Sequence, residues 1–406
     1  MSVEQLPRTI WWEDNSVHMI DQTRLPLQGD VLICNTYEGV IIAIQTLAVR
    51  GAPAIGAAGA LGVALWGSTE GMKFDAIDDG YMTAAQSACD ELADARPTAV
   101  NLSREVNRLR SIIEKAAAED LSPETLSELL VAEAHKVMEE DEAANRALGD
   151  YGAALFDGPT KFLTHCNAGS LATTFYGTAL GVIYSSHAQG KVEHVWVDET
   201  RPVNQGGRLT AWELLFAGVP SQLICDNMAA FVMGEGLVDA VVVGADRVCA
   251  NGDAANKIGT YGLAIIAKEH GIPFYIAAPS TTFDLELTEG RQIEIEVRDQ
   301  REIEGVTVSG VFDAPSPEIN AAFEKMTADG PAELPMSKGH HMTVMRKGGG
   351  FAFDAWFKNT PTHVQCFNPA FDVTPAKYIT GYITERGVIT AEEIKRTFGS
   401  ESPGPA

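Results

Sequence analysis

The feature that most constrains this chain is a change of pattern near Asp157-Gly158-Pro159. From there short apolar runs alternate with helical stretches. Phe162–His165, His194–Val197, Ser221–Ile224, Ala240–Val243 and Phe274–Ala277 read as strands, each too short for a helix. A helix is expected from about Ser170, and others over Leu209–Ala217, Met228–Glu235 and Ile258–Glu269. Strand–helix alternation of this kind predicts a Rossmann-like α/β domain, a parallel sheet with helices on both faces. Ligands of such sheets bind beyond the carboxyl ends of the strands. The residues just past each apolar run are therefore where chemistry is to be sought.

Upstream the pattern is different. Thr9–Trp12 and Ser16–Ile20 flank Asp14-Asn15, a hairpin signature. From Gly39 the spacing is helical, with Val40, Ile41, Ile44, Leu47 and Ala48 on one face, until Val49-Arg50-Gly51-Ala52-Pro53 interrupts it. A small-residue helix follows over Ala54–Trp66. Its Gly56, Gly59 and Gly62 let a neighbour approach closely and do not form a dinucleotide fingerprint. Residues 80–148 read as mostly helical, broken at Arg96–Leu102. The expected organisation is a smaller, mainly helical N-terminal domain with a small antiparallel sheet (1–150) and the Rossmann-like domain (151–400). The latter carries an insertion at about 304–366 that has no repeat and no clear helical period. Asn368–Pro375 then leads into a short final helix, and the polar tail from Ser400, including 401–406, is expected to be disordered.

The 406 residues carry a formal net charge of −25. That field repels DNA, RNA and anionic lipid, so neither a nucleic-acid nor a membrane-surface role is expected. It also requires that an anionic substrate be held by a few local cations and backbone N–H groups. The start of the chain is polar and no run of about 18 apolar residues occurs, which predicts a cytoplasmic protein. Cys34, Cys89, Cys166, Cys225, Cys249 and Cys366 are scattered without a CxxC pair, neither a zinc pattern nor a disulfide framework. His340-His341 with Cys366 lacks metal-ligand spacing, and there is no P-loop. These patterns give no signal for a metal site or a nucleotide cofactor.

Candidate residues sit at the strand ends. Cys166 falls between the Phe162–His165 run and the helix expected from Ser170, where a helix dipole would stabilise a thiolate and free N–H groups would bind phosphate. A small buried core cysteine would show the same pattern. Asp246 lies just past Ala240–Val243, facing the same crevice, and apolar neighbours there would favour a protonated acid. A helix cap or an ion pair with Arg247 is the plainer reading. Gln205-Gly206-Gly207-Arg208 suits a loop whose backbone approaches a ligand. Asn256-Lys257 is placed at a helix start, where a lysine is out of place unless an anion is near. Gln205, Asn256 and Lys257 can serve phosphate or sugar hydroxyls, though each also suits an ordinary loop.

Taken together, the segments resemble the 5-methylthioribose 1-phosphate isomerases. The strings are VRGAPAIG (49–56), ARPTAVNL (95–102), THCNAGSLAT (164–173), VDETRPVNQGGRLTAWEL (197–214), CDNMAA (225–230), VVVGADRVCANGDAANKIGTYGLA (241–264), PFYIAAPSTTFD (273–284) and NPAFDVTP (368–375). The resemblance implies an isomerase of methionine salvage that acts on a sugar phosphate, assembles as a homodimer and uses no cofactor. It implies Asp246 as proton donor and Cys166 as its catalytic companion, with Arg50, Gly51, Ala52, Arg96, Gln205, Asn256 and Lys257 contacting substrate. The same fold serves ribose 1,5-bisphosphate isomerases and regulatory subunits of a translation initiation exchange factor, so those remain alternatives. Residues 304–367 depart from the family's usual short link, and long loops of this kind are commonly lids or disordered segments.

The chemistry needs these groups. An aldose 1-phosphate cannot open freely to an aldehyde, because its anomeric oxygen carries the phosphate. An acid such as a neutral Asp246 must protonate the ring oxygen as the C1–O bond breaks. Hydrogen then moves from C2 to C1, either as a proton through Cys166 or as a hydride within a dry pocket.

Overall fold

Asp14 and Asn15 both adopt left-handed backbone angles, φ 47° and 57°, the conformation that a two-residue hairpin turn requires. In a computed structural model of the chain they join β1 (Ile10–Glu13) to β2 (Ser16–Ile20), and β3 (Val31–Cys34) completes an antiparallel sheet in the order 1-2-3. The structure describes residues 2–96, 100–312, 317–328, 330–335, 341–347, 350–361 and 363–399. His340 and the tail from Ser400 lie outside the described residues.

Five helices follow: α1 (Tyr37–Gln45), α2 (Ala52–Ser68), α3 (Asp79–Ala93), α4 (Val100–Ala118) and α5 (Pro123–Ala153). Thr36, Asp78 and Ser122 cap α1, α3 and α5 with side-chain oxygens that accept backbone N–H groups, which stabilises the exposed first turns. The expected face of α1 is cut short, since Leu47 turns left-handed (φ 64°) just past the helix. α2 lies in the middle of this assembly, buried from Ala54 to Gly67. Its glycines admit the neighbours. A Cβ on Gly59 would lie 2.6 Å from Leu102 Cδ1, and one on Gly62 would lie 2.7 Å from Leu92 Cδ2.

The alternating half gives β4 (Thr160–Thr164), α6 (Ala179–Ala188), β5 (Val192–Asp198), α7 (Ala211–Ala217), β6 (Ser221–Ile224), α8 (Ala229–Gly234) and β7 (Ala240–Val243). A hairpin of β8 (Arg247–Cys249) and β9 (Ala254–Lys257) comes next, then α9 (Thr260–Glu269), β10 (Phe274–Ala277) and β11 (Phe283–Asp284). Further on are α10 (Arg301–Glu304), β12 (Gly305–Phe312), α11 (Pro317–Met326), β13 (Ala332–Pro335), β14 (His341–Lys347) and β15 (Gly350–Lys358). The chain ends with β16 (Phe371–Thr374), β17 (Gly381–Thr384), β18 (Gly387–Ile389) and α12 (Ile394–Phe398).

The main sheet runs β18-β17-β10-β7-β4-β5-β6; only β18 is antiparallel to its neighbour. From β4 the chain steps outward to β5 and β6, then returns to the other side of β4 for β7, β10 and β17. The strand order therefore reverses between β4 and β7, and the crevice at such a switch point is where doubly wound sheets take their ligands. A side sheet, β11-β8-β9-β16, stands next in the chain to the end of β7. The fold class expected from sequence is the one observed. β17 and β18 were not foreseen: Gly381-Tyr382-Ile383-Thr384 and Gly387-Val388-Ile389 flank a two-residue turn, and only the edge of β10 makes the first of them a parallel strand.

The chain separates into two compact units. One takes in Met1–Thr200, Asn204–Ile295 and Phe371–Ala406; the other takes in Arg201–Val203 and Glu296–Ala370. The second unit is an antiparallel sheet in the order β12-β15-β14-β13 with α11. Val344, Phe351 and Ala355 are buried within it, and the Phe323 ring lies 5.1 Å from that of Phe351. Backbone bonds from Arg298 to Asn368 and from Ala370 to Glu296, each 2.9 Å, close its base. Among the described residues the inserted segment is thus strands and helix, where the sequence offered no period. Its β15 reads Gly-Phe-Ala-Phe-Asp-Ala-Trp-Phe-Lys, and consecutive apolar residues conceal the two-residue alternation.

Candidate functional site

β4 and β7 are adjacent parallel strands, with Phe162 paired to Ala240 and Leu163 to Val241. Cys166 follows the first and Asp246 follows the second, so both stand on the crevice of the switch point. Their loops touch, since a Cβ on Gly244 would lie 2.8 Å from the Ala168 side chain. Cys166 is buried (7 % exposed) and holds φ 64°, a left-handed angle that few non-glycine residues adopt. Two hydroxyls hold it there. Its N–H donates to Thr200 Oγ1 (2.8 Å), and its carbonyl accepts from Thr210 Oγ1 (2.6 Å). Asp246 is half-buried, and its N–H donates to the carbonyl of Ala255 on β9 (2.9 Å). Arg247 forms an ion pair with Asp284 (3.6 Å).

One local expectation is corrected. No α-helix begins at Ser170; a single 3-10 turn spans Ser170–Ala172, and α6 starts at Ala179. Thr173 and Thr174 spend their hydroxyls on backbone and Asp141 oxygens, and Tyr176 and Gly177 both have positive φ. Those features break the helical path. The helix terminus that does reach the Cys166 loop belongs to α2. Gly51 caps it at φ 94° without a side-chain bond, and a Cβ there would lie 2.4 Å from the carbonyl oxygen of Ala172. The first residue of α2, Ala52, therefore begins beside that loop, where helix N–H groups favour an anion.

Arg50, just before this cap, donates to Asn167 Oδ1 (2.6 Å) and to the Asn167 carbonyl (2.9 Å). Arg208 donates to the carbonyls of Gln22 (2.7 Å) and Leu25 (3.3 Å). Burial and the charge of Arg50 hold the Arg208 guanidinium below its usual pKa. Gln205 is buried, and its Oε1 accepts no hydrogen bond among the described residues. The next residue must be glycine, because a Cβ on Gly206 would meet the Asp198 carbonyl oxygen at 1.7 Å.

Asn256 and Lys257 lie in β9, not in the first turn of a helix; α9 begins at Thr260. β16, distant in sequence, draws them into a strand by pairing Phe371 with Lys257 and Asp372 with Asn256. Asn256 Nδ2 donates to Thr260 Oγ1 (3.1 Å), and Lys257 Nζ stands 4.1 Å over the Phe371 ring. Arg96 is half-buried on the link into α4, whose next residues, 97–99, lie outside the described residues.

The sequence reading missed the groups that hold the site. His165 is buried, with Nδ1 2.9 Å from Asp198 Oδ2 and Nε2 2.9 Å from the Ile258 carbonyl. The carbonyl demands an N–H at Nε2, so a second proton is shared between Nδ1 and Asp198. Burial opposes charge on His165, but the hydrogen bond and the charges of Asp198 and Asp226 outweigh it and raise its pKa. Asp198 is raised too, chiefly by burial; both directions describe a pair that keeps its shared proton. His165, Asp198 and Asp226 offer ligand atoms within 4.8 Å of one another, yet both His165 nitrogens are engaged in these bonds. The signal was available: Asp198 ends β5, one strand from Cys166.

Residues 48–391 match the sequence model of the initiation factor 2 subunit family.

The chain belongs to the initiation factor 2 subunit family.

Among proteins of this kind, the 5-deoxyribose 1-phosphate isomerase of Moorella thermoacetica is 47% identical over 380 residues, 94% of this chain and 93% of that protein. The crystal structure of 5-methylthioribose 1-phosphate isomerase from Pyrococcus horikoshii OT3 is similar at 40% identity and TM-score 0.79, covering 98% of this chain and 97% of that one. A structure described as translation initiation factor eIF-2B, subunit delta, from A. fulgidus is similar at 38% identity and TM-score 0.75, covering 97% of this chain and 100% of that one. Within the initiation factor 2 subunit family, likeness of fold and sequence thus extends to proteins named as enzymes and to one named as a translation factor.

Proposed function

We propose that the chain is an aldose–ketose isomerase of sugar 1-phosphates that converts 5-methylthioribose 1-phosphate to 5-methylthioribulose 1-phosphate, a step of methionine salvage. The observation that carries this reading is the placement of Cys166 and Asp246 at the ends of adjacent strands β4 and β7, with Arg50 bonded to the Cys166 loop. Asp246 protonates the ring oxygen as the C1–O bond breaks. Hydrogen leaves C2 and arrives at C1 under the Cys166 side chain, while the C2 hydroxyl becomes the ketone and gives up its proton, which replaces the one that Asp246 donated. Arg50, Arg96, Lys257 and the N–H groups at Gly51 and Ala52 hold the phosphate. Gln205 and Asn256 take sugar hydroxyls, and the unused Oε1 of Gln205 supports that role.

The named activity of the Moorella relative supports a second substrate. 5-Deoxyribose 1-phosphate lacks only the methylthio group, so one apolar C5 site can serve both sugars. In an apolar pocket even one methylene discriminates by about 10–200-fold, so the methylthio group is enough to set a preference between them. The likeness to the A. fulgidus subunit supports a non-catalytic regulator instead. One experiment separates the three readings. Wild type, Cys166→Ser and Asp246→Asn are incubated without cofactor with 5-methylthioribose 1-phosphate, 5-deoxyribose 1-phosphate or ribose 1,5-bisphosphate, and ketose is followed by NMR. Turnover of the methylthio sugar is expected, with each folded variant slowed by about 10²–10⁴-fold. Preference for another sugar reassigns the substrate, and no turnover of any sugar by folded wild type removes the isomerase reading.

We further infer a homodimer. Leu215, Leu223, Met228 and Phe231 are 75, 52, 48 and 66 % exposed around β6, the edge strand of the main sheet, a concentration of apolar surface that supports a covered face.

A further inference from the structure

Glu213, on α7, is fully buried, and neither the sequence motifs nor the chemistry above gives it a task. Its carboxyl collects four donors. Oε1 accepts from Asn167 Nδ2 (2.8 Å) and the Leu171 N–H (3.3 Å), and Oε2 accepts from the Ser170 N–H (2.7 Å) and the Tyr184 hydroxyl (3.0 Å). An amide NH2 and two backbone N–H groups cannot accept, so both oxygens must act as acceptors. Three of the four donors belong to the loop that begins at Cys166. That loop also presses against the carboxyl, since a Cβ on Gly169 would lie 2.4 Å from Oε2.

The contacts continue past Asn167. Its Oδ1 and carbonyl accept from Arg50 while its Nδ2 donates to Glu213 and, at 3.2 Å, to Thr210 Oγ1. Thr210 in turn donates to the Cys166 carbonyl (2.6 Å). The Glu213 carboxyl, with Thr210 Oγ1 beside it, thus fixes which way the Asn167 amide faces, and that orientation presents Oδ1 to Arg50. We propose that Glu213 is a positioning residue that acts through Asn167, setting the Cys166 loop and the Arg50 guanidinium in register for the reaction. The kinetic part of this assignment rests on the isomerase reading; the positioning of Cys166 does not.

Glutamine in place of glutamate would set an NH2 against one of the loop's donors, so Glu213→Gln tests the polarity of the contact at nearly constant volume. Asn167→Ala removes the link itself. Tyr184→Phe removes a donor to Glu213 that does not lie on the loop. Each variant is measured for kcat and KM on 5-methylthioribose 1-phosphate, for Tm, and for the rate at which iodoacetamide alkylates Cys166. Peptide mass spectrometry follows the alkylation, with the exposed Cys225 as internal reference. Glu213→Gln and Asn167→Ala are expected to lower kcat about 100-fold, as a misplacement near 1 Å does, to raise KM, and to speed Cys166 alkylation relative to Cys225. Tyr184→Phe is expected to lower Tm alone. Unchanged kinetics and alkylation in the first two variants would overturn the assignment, as would losses that follow Tm equally in all three. If Glu213→Gln does not fold, Asn167→Ala decides by the same measures; failure of both to fold makes the role one of stability and also overturns it. Should wild type turn over no sugar phosphate, the isomerase reading fails, and the alkylation rates still decide the role of Glu213.

Discussion

Cys166 and Gly51 both hold positive φ at the candidate site. A non-glycine residue at φ 64° costs about 1–3 kcal/mol, and bonds from Thr200 and Thr210 offset it. Gly51 has no side chain because the Ala172 backbone occupies that space. The sequence marked both positions as interesting, but it gave the wrong reason for Cys166, since the local helix expected at Ser170 is a single turn. His165 carries a pH dependence. Its folded pKa is raised above the unfolded value of about 6.5. The stability it contributes is therefore fully present below about 6.5 and is lost as pH rises through the higher folded value. Urea unfolding of His165→Gln should show a deficit of about 3–5 kcal/mol at pH 6, the usual result of breaking a buried pair. That deficit should shrink as pH rises through the folded pKa of His165. A deficit independent of pH would mean that His165 is not charged in the folded protein.

Among the elements, α2 shows how composition becomes packing. Its glycines are spaced every third residue, and the structure sets Asn101, Leu102 and Leu92 against them. Gly59→Val should therefore destabilise the protein by about 1–3 kcal/mol by overpacking against α4, although valine is the better helix former. A thermal melt checks the balance, and an unchanged or higher Tm would show that α4 yields at no cost. The strands of the alternating half were legible to within a residue or two because each is a short apolar run bounded by turns. β8, β9, β16 and β17 were not, because their partners supply the reason for the extended backbone. Asn256 and Lys257 are the clearest case: alone they read as a helix start, and β16 makes them a strand.

For the whole molecule, the apolar surface around β6 leads to the remaining prediction. Wild type should elute and scatter light as a dimer, and Leu215→Glu with Phe231→Glu should yield a folded monomer. A double variant that stays dimeric would place the interface elsewhere. Among the described residues no helix is long and apolar enough to cross a membrane. The sequence by itself determined the doubly wound class, since alternation of apolar runs and helices admits few other burials, and it pointed to Cys166 and Asp246 because such sheets bind ligands at strand ends. Only the tertiary structure decided what stands around them. That β4 and β7 are neighbours, that α2 rather than a local helix points at the Cys166 loop, that residues 296–370 fold as an antiparallel unit, and that Glu213 gathers four donors all follow from contacts between residues far apart in the chain. Such contacts are fixed by burial and hydrogen-bond satisfaction in three dimensions, which no local pattern encodes.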